Sequence, residues 1–295
     1  MDPMIVIFLM GGLGNQMFQY ALGRRLAIER GIPLKLDLSW FGAQTLRQYR
    51  LGQFNIRAEI AQVKDLRYFD YITRKDIFAR VFKKYQSYLP YYKRRFVKQI
   101  GNGFDPAINN VTNKVLLKGY WQSEQYFKPI EETLRQDFQL KSALITDYQH
   151  LVAKIQSGES VSIHVRRGDY VHNLRTNSVH GICSMEYYQK AVDLIRSKIP
   201  DPLFFIFSDE PEWAQENFHL EIPFIIVPNE GENSDVQQLH LMSLCNHHIL
   251  ANSSFSWWGA WLDNSPNKIV IAPSKWFASE RIKNDDLLPN GWIRL

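Results

Sequence analysis

Two adjacent arginines, Arg166 and Arg167, follow directly on the apolar run Val161-Ser162-Ile163-His164-Val165 in a chain of 295 residues. Guanidinium groups beside an apolar strand need a partner, and their planar fork matches phosphate oxygens two at a time. An anion bound at the strand end is one such partner. A structural ion pair, such as Asp169 with Arg167, is the other. A second cluster, Ala251-Asn252-Ser253-Ser254-Phe255-Ser256-Trp257-Trp258, places hydroxyls at an expected helix start after another strand. Such hydroxyls cradle phosphate as readily as they cap a helix. Trp257, Trp258 and Trp261 could stack on a sugar or a base, although the i, i+3 spacing of Trp258 and Trp261 also suits a packed core.

The third cluster is Gly11-Gly12-Leu13-Gly14-Asn15-Gln16. Glycines between a strand and a helix let the backbone approach a ligand, and the helix start offers N–H groups to an anion. Met17 stands where a dinucleotide fingerprint wants its third glycine, and the spacing is not that of a Walker loop. A ligand-free βα turn is the alternative. The fourth is Ser208-Asp209, after Leu203–Phe207, where a carboxylate can take two N–H bonds from a guanine edge, grip a ribose or cap a helix. The chain has no Asp-x-Asp pair of the kind that holds Mg²⁺ or Mn²⁺ on a diphosphate. Charge on a leaving diphosphate is therefore expected to be met by Arg166 and helix N-termini, without metal or cofactor.

The elements that carry these clusters alternate. Ile5–Leu9 is a short, branched strand, Asn15–Arg30 has helical spacing stopped by Gly31-Ile32-Pro33, and Leu34–Leu38 is a second strand. Val115–Leu117 is a further strand, and one helix is expected over 129–156. The second half reads as strands at 161–165, 203–207, 224–227, 248–250 and 269–271, with helices near 185–198, 212–217, 235–245 and from Phe255. This order implies parallel, doubly wound sheets. Length and an apolar fraction of 45% fit two domains. They are placed at 1–157 and 158–295, the C-terminal tail free to return to the first, with the strand ends of two α/β domains lining a facing cleft.

Composition excludes disorder, collagen and coiled coil. Cys183 and Cys245 give no zinc framework and at most one disulfide, so a reducing compartment fits. The apolar run Met4–Met10 is too short for a signal segment or a span. The net charge of +5 has an uneven origin: residues 67–98 hold ten basic and two acidic residues, and ten of these 32 residues are aromatic. Three readings stay open for that segment. It could form amphipathic helices with inward aromatics, bind single-stranded nucleic acid by stacking and charge, or sit on an anionic leaflet.

The sequence Gly11-Gly12-Leu13-Gly14-Asn15-Gln16-Met17-Phe18-Gln19-Tyr20-Ala21, then His164-Val165-Arg166-Arg167-Gly168-Asp169-Tyr170, then Phe207-Ser208-Asp209-Glu210, then Ala251-Asn252-Ser253-Ser254-Phe255-Ser256-Trp257-Trp258 resembles the ordered motifs of glycosyltransferase family 11, the α-1,2-fucosyltransferases. The resemblance runs from Ile5 to about Pro273 and leaves residues 60–115 unmatched. It implies a GT-B architecture of two Rossmann-like domains facing a cleft. The implied reaction is inverting transfer of L-fucose from GDP-β-L-fucose to the 2-hydroxyl of a terminal galactose in a glycan or lipid-linked oligosaccharide. It further implies donor binding mainly in the second domain and acceptor binding mainly in the first, no metal, no cofactor and no nucleic acid. The expected setting is cytoplasmic, with peripheral contact to the inner membrane face through residues 67–98.

Residue by residue, the resemblance places Arg166 at the β-phosphate and Asn15 at the donor's phosphate and sugar. His164 and Asp209 fall at the guanosine, and Ser253, Ser254 and Ser256 near the phosphates. Gly12, Gly14, Arg167 and Phe255 complete the expected substrate contacts. A glutamate that related core fucosyltransferases carry five residues after the motif aspartate is Leu174 here, so Asp169, His172 and Asp37 remain as candidates for a general base. Linkages other than α-1,2 within the same superfamily are an alternative. A nicotinamide-dependent oxidoreductase would explain the glycine loop and Asp37, 23 residues beyond Gly14, but leaves Arg166, Arg167 and the serines without a role. The Arg167-Gly168-Asp169 tripeptide of adhesive ligands is set aside because it abuts a core strand.

Overall fold

The computed structural model describes residues 2–44, 46–69, 76–144, 146–219, 222–231, 233–279, 282 and 285–295; the side chains of 146, 147, 169 and 174–176 lie outside that set. The chain divides into two units, Met1–Lys141 with Asp285–Leu287, and Ser142–Asn284 with Leu288–Leu295. Each holds its own parallel sheet, so the expected α/β class with two Rossmann-like units is the one adopted.

In the first unit, β1 (Met4–Phe8), β2 (Leu34–Asp37), β3 (Glu59–Ile60), β4 (Phe96–Lys98) and β5 (Lys114–Lys118) pair in the order β3-β2-β1-β5-β4. The central β1 needs apolar residues on both faces, and Ile5, Val6 and Ile7 are fully buried. Helix α1 (Leu13–Arg30) stops on Gly31, whose φ of 61° is the left-handed C-terminal cap that glycine supplies without strain. Strand β4 lies within the aromatic, basic stretch, where no alternation marks it. Helix α2 (Ile77–Tyr88) precedes it.

The single helix expected over 129–156 is two helices, α3 (Glu131–Asp137) and α4 (Thr146–Ile155). Between them the chain turns extended: Leu140 bridges Phe54, Asn55 N–H donates to Gln139 O, and Lys141 N–H to Gln53 O. Phe138 meets Tyr20 and Phe54 edge-on, a tertiary anchor without a Gly or Pro signal. The break moves the unit boundary to Lys141, earlier than the expected residue 157. Tyr148, Leu151 and Ile155 of α4 bury against Phe205, Phe207 and Leu241 of the second unit. Of the tail, Asp285–Leu287 groups with the first unit, while the last strand joins the second sheet.

In the second unit, β6 (Ser160–Val165), β7 (Leu203–Ser208), β8 (Phe224–Ile226), β9 (His247–Ile249), β10 (Val270–Ala272) and β11 (Ile293–Arg294) run in the order β8-β7-β6-β9-β10-β11. This is the dinucleotide-fold order 3-2-1-4-5-6, with its switch point between β6 and β9. Helices α5 (Gly168–His172), α6 (Leu174–His180), α7 (Met185–Arg196), α8 (Pro211–Asn217), α9 (Ser234–Ser243) and α10 (Ser254–Leu262) connect the strands. Helices α9 and α10 approach closely because a Cβ on Gly259 would lie 2.3 Å from Met242 Sδ. Cys183 and Cys245 are both free thiols. Among the described residues no helix is long and apolar enough to cross a membrane.

Candidate functional site

Ligands of open parallel sheets bind beyond the carboxyl ends of the strands at the switch point, and in the second unit that position is lined by three of the clusters read from the sequence. The parallel register of β6 and β7 pairs Val165 with Ser208, which sets Arg166 beside Asp209 one step further on. Arg166 Nη1 lies 2.9 Å from Asp209 Oδ2, and Asp209 Oδ1 accepts the Arg167 backbone N–H at 3.0 Å. Asp209, expected at a guanosine, thus holds the 166–167 loop with both oxygens. Gly168 is required for this approach, since a Cβ there would sit 2.3 Å from Asp209 Oδ2. The Arg166 guanidinium also lies 5.4 Å over the Tyr170 ring, which stacks on His180 at 4.7 Å.

Arg167 points elsewhere. Its Nε donates to Glu210 Oε2 at 2.9 Å and its guanidinium lies 3.6 Å over Trp213, so it fixes the β7–α8 turn. Among the described residues Arg167 pairs with Glu210. His172, an exposed candidate for the general base, meets the other Glu210 oxygen, Oε1, at 2.9 Å. Burial pushes the Glu210 carboxyl up, but the hydrogen bonds from Arg167 and His172 and their charges outweigh it and leave it below the usual carboxylate range. The side chain of Asp169 lies outside the described residues.

His164 is buried at the end of β6, 5.3 Å from the ring of Phe255. Burial, and then the Arg166 charge, lowers its pKa to about 3, so the ring is neutral. Its Nδ1 is buried with no hydrogen-bond partner among the described residues. An orphaned polar atom beside a switch point fits a site that meets a polar ligand group.

The serine cluster divides by role. Ser253 is the N-cap of α10, its Oγ accepting from Phe255 N–H. Ser256 is fully buried and donates to the carbonyls of Ala251 and Ser253, so it belongs to the helix. Ser254 and Phe255, both half-buried, begin the helix facing the strand end. Trp257, Trp258 and Trp261 are buried and pack on one another, with Trp292 against Trp257: they are core.

Asn252 was not singled out by the sequence and is the hub of this end of the unit. Its Nδ2 donates to His180 O and Trp276 O while its Oδ1 accepts from the Cys183 thiol. A buried Asn inside a loop motif was the available signal. Ser162, His248 and Asp263 form a chain at 2.8 and 3.1 Å with the composition of a hydrolase triad. The histidine is fully buried, with both ring nitrogens used to stitch β6 to β9 and to the end of α10, so it offers no surface for chemistry.

The first unit has its own switch point, between β1 and β5. Gly11 takes φ 83° and closely approaches Asn15, whose Oδ1 accepts from Gln122 Nε2 at 2.8 Å across that point. Gly12 is the N-cap of α1 and Gly14 lies buried in its first turn. The buried Gln16 and Gln19 bracket the loop, Gln16 to Gly11 O and Gln48 O, Gln19 to both backbone groups of Met10. Asp37 stands at the end of β2, buried, one carboxylate oxygen accepting Ser39 N–H. Lys118, at the end of β5, has its pKa lowered by burial and then by Lys83 and Lys98, with Asp37 opposing. Trp121 is held buried at φ 56°, a left-handed conformation costly for a bulky residue.

The model of Glycosyl transferase family 11 matches residues 107–295. An alpha-1,2-colitosyltransferase of Escherichia coli is 36% identical over 300 residues, covering 99% of this chain and 98% of that protein. The O-antigen biosynthesis glycosyltransferase WbnK of Escherichia coli is 32% identical over 97% of this chain and 99% of its own length. Galactoside alpha-(1,2)-fucosyltransferase 1 of Rattus norvegicus is 29% identical over 50% of this chain and 41% of that protein. The fold is also similar to NodZ alpha-1,6-fucosyltransferase soaked with GDP-fucose, with a TM-score of 0.52 at 16% identity over 92% of this chain and 95% of that one.

Proposed function

The chain belongs to glycosyltransferase family 11, and from that premise we propose that it transfers L-fucose from GDP-β-L-fucose to the 2-hydroxyl of a terminal galactose, with inversion and without metal. The observation that carries this reading is the fixed Arg166 guanidinium at the switch point of the second sheet, beside Asp209. As GDP departs, charge grows on the β-phosphate while the sugar becomes oxocarbenium-like. A preoriented guanidinium is worth most at that moment, and it would meet the charge that metal-dependent transferases meet with a cation held by an Asp-x-Asp pair. The orphaned His164 Nδ1 suits a hydrogen bond from the nucleotide, and the start of α10 suits its phosphates. Asn15 is assigned to the donor's phosphate and sugar. Of the two proton-acceptor candidates whose side chains are described, Asp37 is buried and His172 is exposed and held by a carboxylate, which suits removal of the acceptor proton.

One observation favours a second reading of the donor. The relative 36% identical over both full lengths is a colitosyltransferase, and colitose is fucose without its 3-hydroxyl. Kinetics with GDP-fucose and GDP-colitose, each with a β-galactoside acceptor, decide between them. A higher kcat/KM for GDP-fucose supports the fucosyl assignment; the reverse ratio replaces it with colitosyl transfer by the same machinery. Asp37, buried and engaged with Ser39, gives the nicotinamide alternative little support, and a thermal shift with GDP but none with NAD closes it.

A further inference from the structure

Helix α2 has two apolar faces. Ala79, Phe82 and Gln86 turn inward, Phe82 packing against the small core of Met4, Val6, Phe69 and Leu116, and Gln86 Oε1 accepting Arg95 N–H at 2.8 Å. Asp76 caps its start by accepting Ala79 N–H, and Arg94 Nη2 donates to Ser87 O in its last turn. The helix is therefore anchored. Ile77, Val81, Tyr85 and Tyr88 fall at i, i+4, i+8 and i+11 on the face adjoining the buried one, with Phe78 beside them, and all five are exposed. Phe78 is 82% and Tyr88 76% accessible, and Tyr92 extends the stripe past the helix end. Of the aromatics of this helix Phe82 turns inward, while Phe78, Tyr85 and Tyr88 are turned out.

The charges around this stripe have one sign. From residue 77 to residue 98 there are seven basic residues, Arg80, Lys83, Lys84, Lys93, Arg94, Arg95 and Lys98, and no acidic one. Arg80 and Lys84, spaced i, i+4, follow one edge of the apolar arc. A two-fold contact with a second copy would set this patch against itself, cation on cation. A helix with a strong apolar face, low mean hydropathy, aromatic hydroxyls and long basic side chains instead meets the requirements of a bilayer interface. The tyrosines sit at headgroup depth and the Lys and Arg stems reach up to phosphates.

We propose that α2 and the following segment to Lys98 dock the first unit on an anionic lipid surface, with Ile77, Phe78, Val81, Tyr85 and Tyr88 in the interface and the basic residues on the headgroups. Apolar insertion and a polybasic patch supply the two signals that stable peripheral binding needs. The proposal concerns binding alone and stands apart from the choice of donor or acceptor.

Vesicle flotation with the whole chain tests it, using phosphatidylcholine alone and phosphatidylcholine mixed with phosphatidylglycerol, at low and high salt. Binding to the anionic vesicles, falling about tenfold or more at high salt and absent on neutral ones, is expected. Phe78→Asp should abolish it, and Lys84→Glu should weaken it at least about fivefold, the amount expected for loss of one basic residue at such a surface. Both sites are exposed, so GDP-stimulated thermal stabilisation should stay as in the wild type. Equal partitioning into both vesicle types, or flotation unchanged by Phe78→Asp, overturns the proposal. So does a dimer in light scattering that Phe78→Asp dissolves, or capture of an acidic peptide in preference to lipid.

Discussion

Arg166 Nη1 and Asp209 Oδ2 are held 2.9 Å apart at the carboxyl ends of adjacent parallel strands whose last registered pair is Val165 with Ser208. Register, more than the pair's own attraction, fixes this contact, because both residues continue strands locked by the sheet. Arg166→Ala is expected to lower kcat by about 10²–10³, the range for loss of a preorganised donor. Arg166→Lys should do nearly as badly, since an ammonium lacks the bidentate fork. Retention of more than about a tenth of turnover by the lysine variant would remove Arg166 from its assigned role.

Asp209→Asn preserves an acceptor for Arg167 N–H and loses the charge that holds Arg166. Turnover should fall at least about tenfold with little change in stability, because a partly exposed ion pair contributes about 0–1 kcal/mol. Steady-state kinetics beside chemical denaturation separate these effects. Gly168→Ala acts on the same contact sterically. Its methyl group would displace Asp209, and a loss of about 1–3 kcal/mol together with reduced turnover is expected.

The tryptophans of α10 give a contrast. Trp258 is fully buried, so Trp258→Ala should cost about 3–5 kcal/mol of stability. The affinity of the remaining folded protein for GDP, measured by calorimetry, should change little. A large affinity loss with normal stability would restore the stacking role.

His164 sets a pH dependence of stability. Its folded pKa of about 3 lies below the ordinary value of 6.5, so the unfolded chain binds the proton more readily. Its contribution is complete above about pH 6.5 and is lost as pH falls toward 3, about 2 kcal/mol of it by pH 5. His248, also lowered by burial, adds to the same slope. Urea denaturation at pH 7.5 and pH 5 should show a smaller drop for His164→Asn than for the wild type; equal drops would contradict the assignment.

Much of this was legible in the sequence. The strands carrying the motifs were, because β1, β6 and β7 are short, branched and buried on both faces. Arg166, Asp209 and the serine cluster were legible as strand-end polar residues, where the chemistry requires them. Their pairing was not: Asp169 was the acid weighed for Arg167, and it takes the register of β6 and β7 to bring Asp209 beside Arg166 and Glu210 within reach of Arg167. Asn252 was legible as a polar residue inside a strand-end motif but not as a hub, because His180, Cys183 and Trp276, which it bonds, are remote from it in sequence. The helix break at Phe138 was hidden because a tertiary contact with Phe54 makes it, with no glycine or proline. The two-faced character of α2 was missed because composition counts aromatic residues without saying which side they face.

The most direct test of the account is to incubate the chain with GDP-fucose and a panel of terminal β-galactosides in excess EDTA and to determine the product linkage by NMR. An α-1,2-linked fucosyl galactoside formed at undiminished rate is the predicted result. A different linkage, a retained β anomer, or turnover abolished by EDTA and restored by a divalent cation would contradict it.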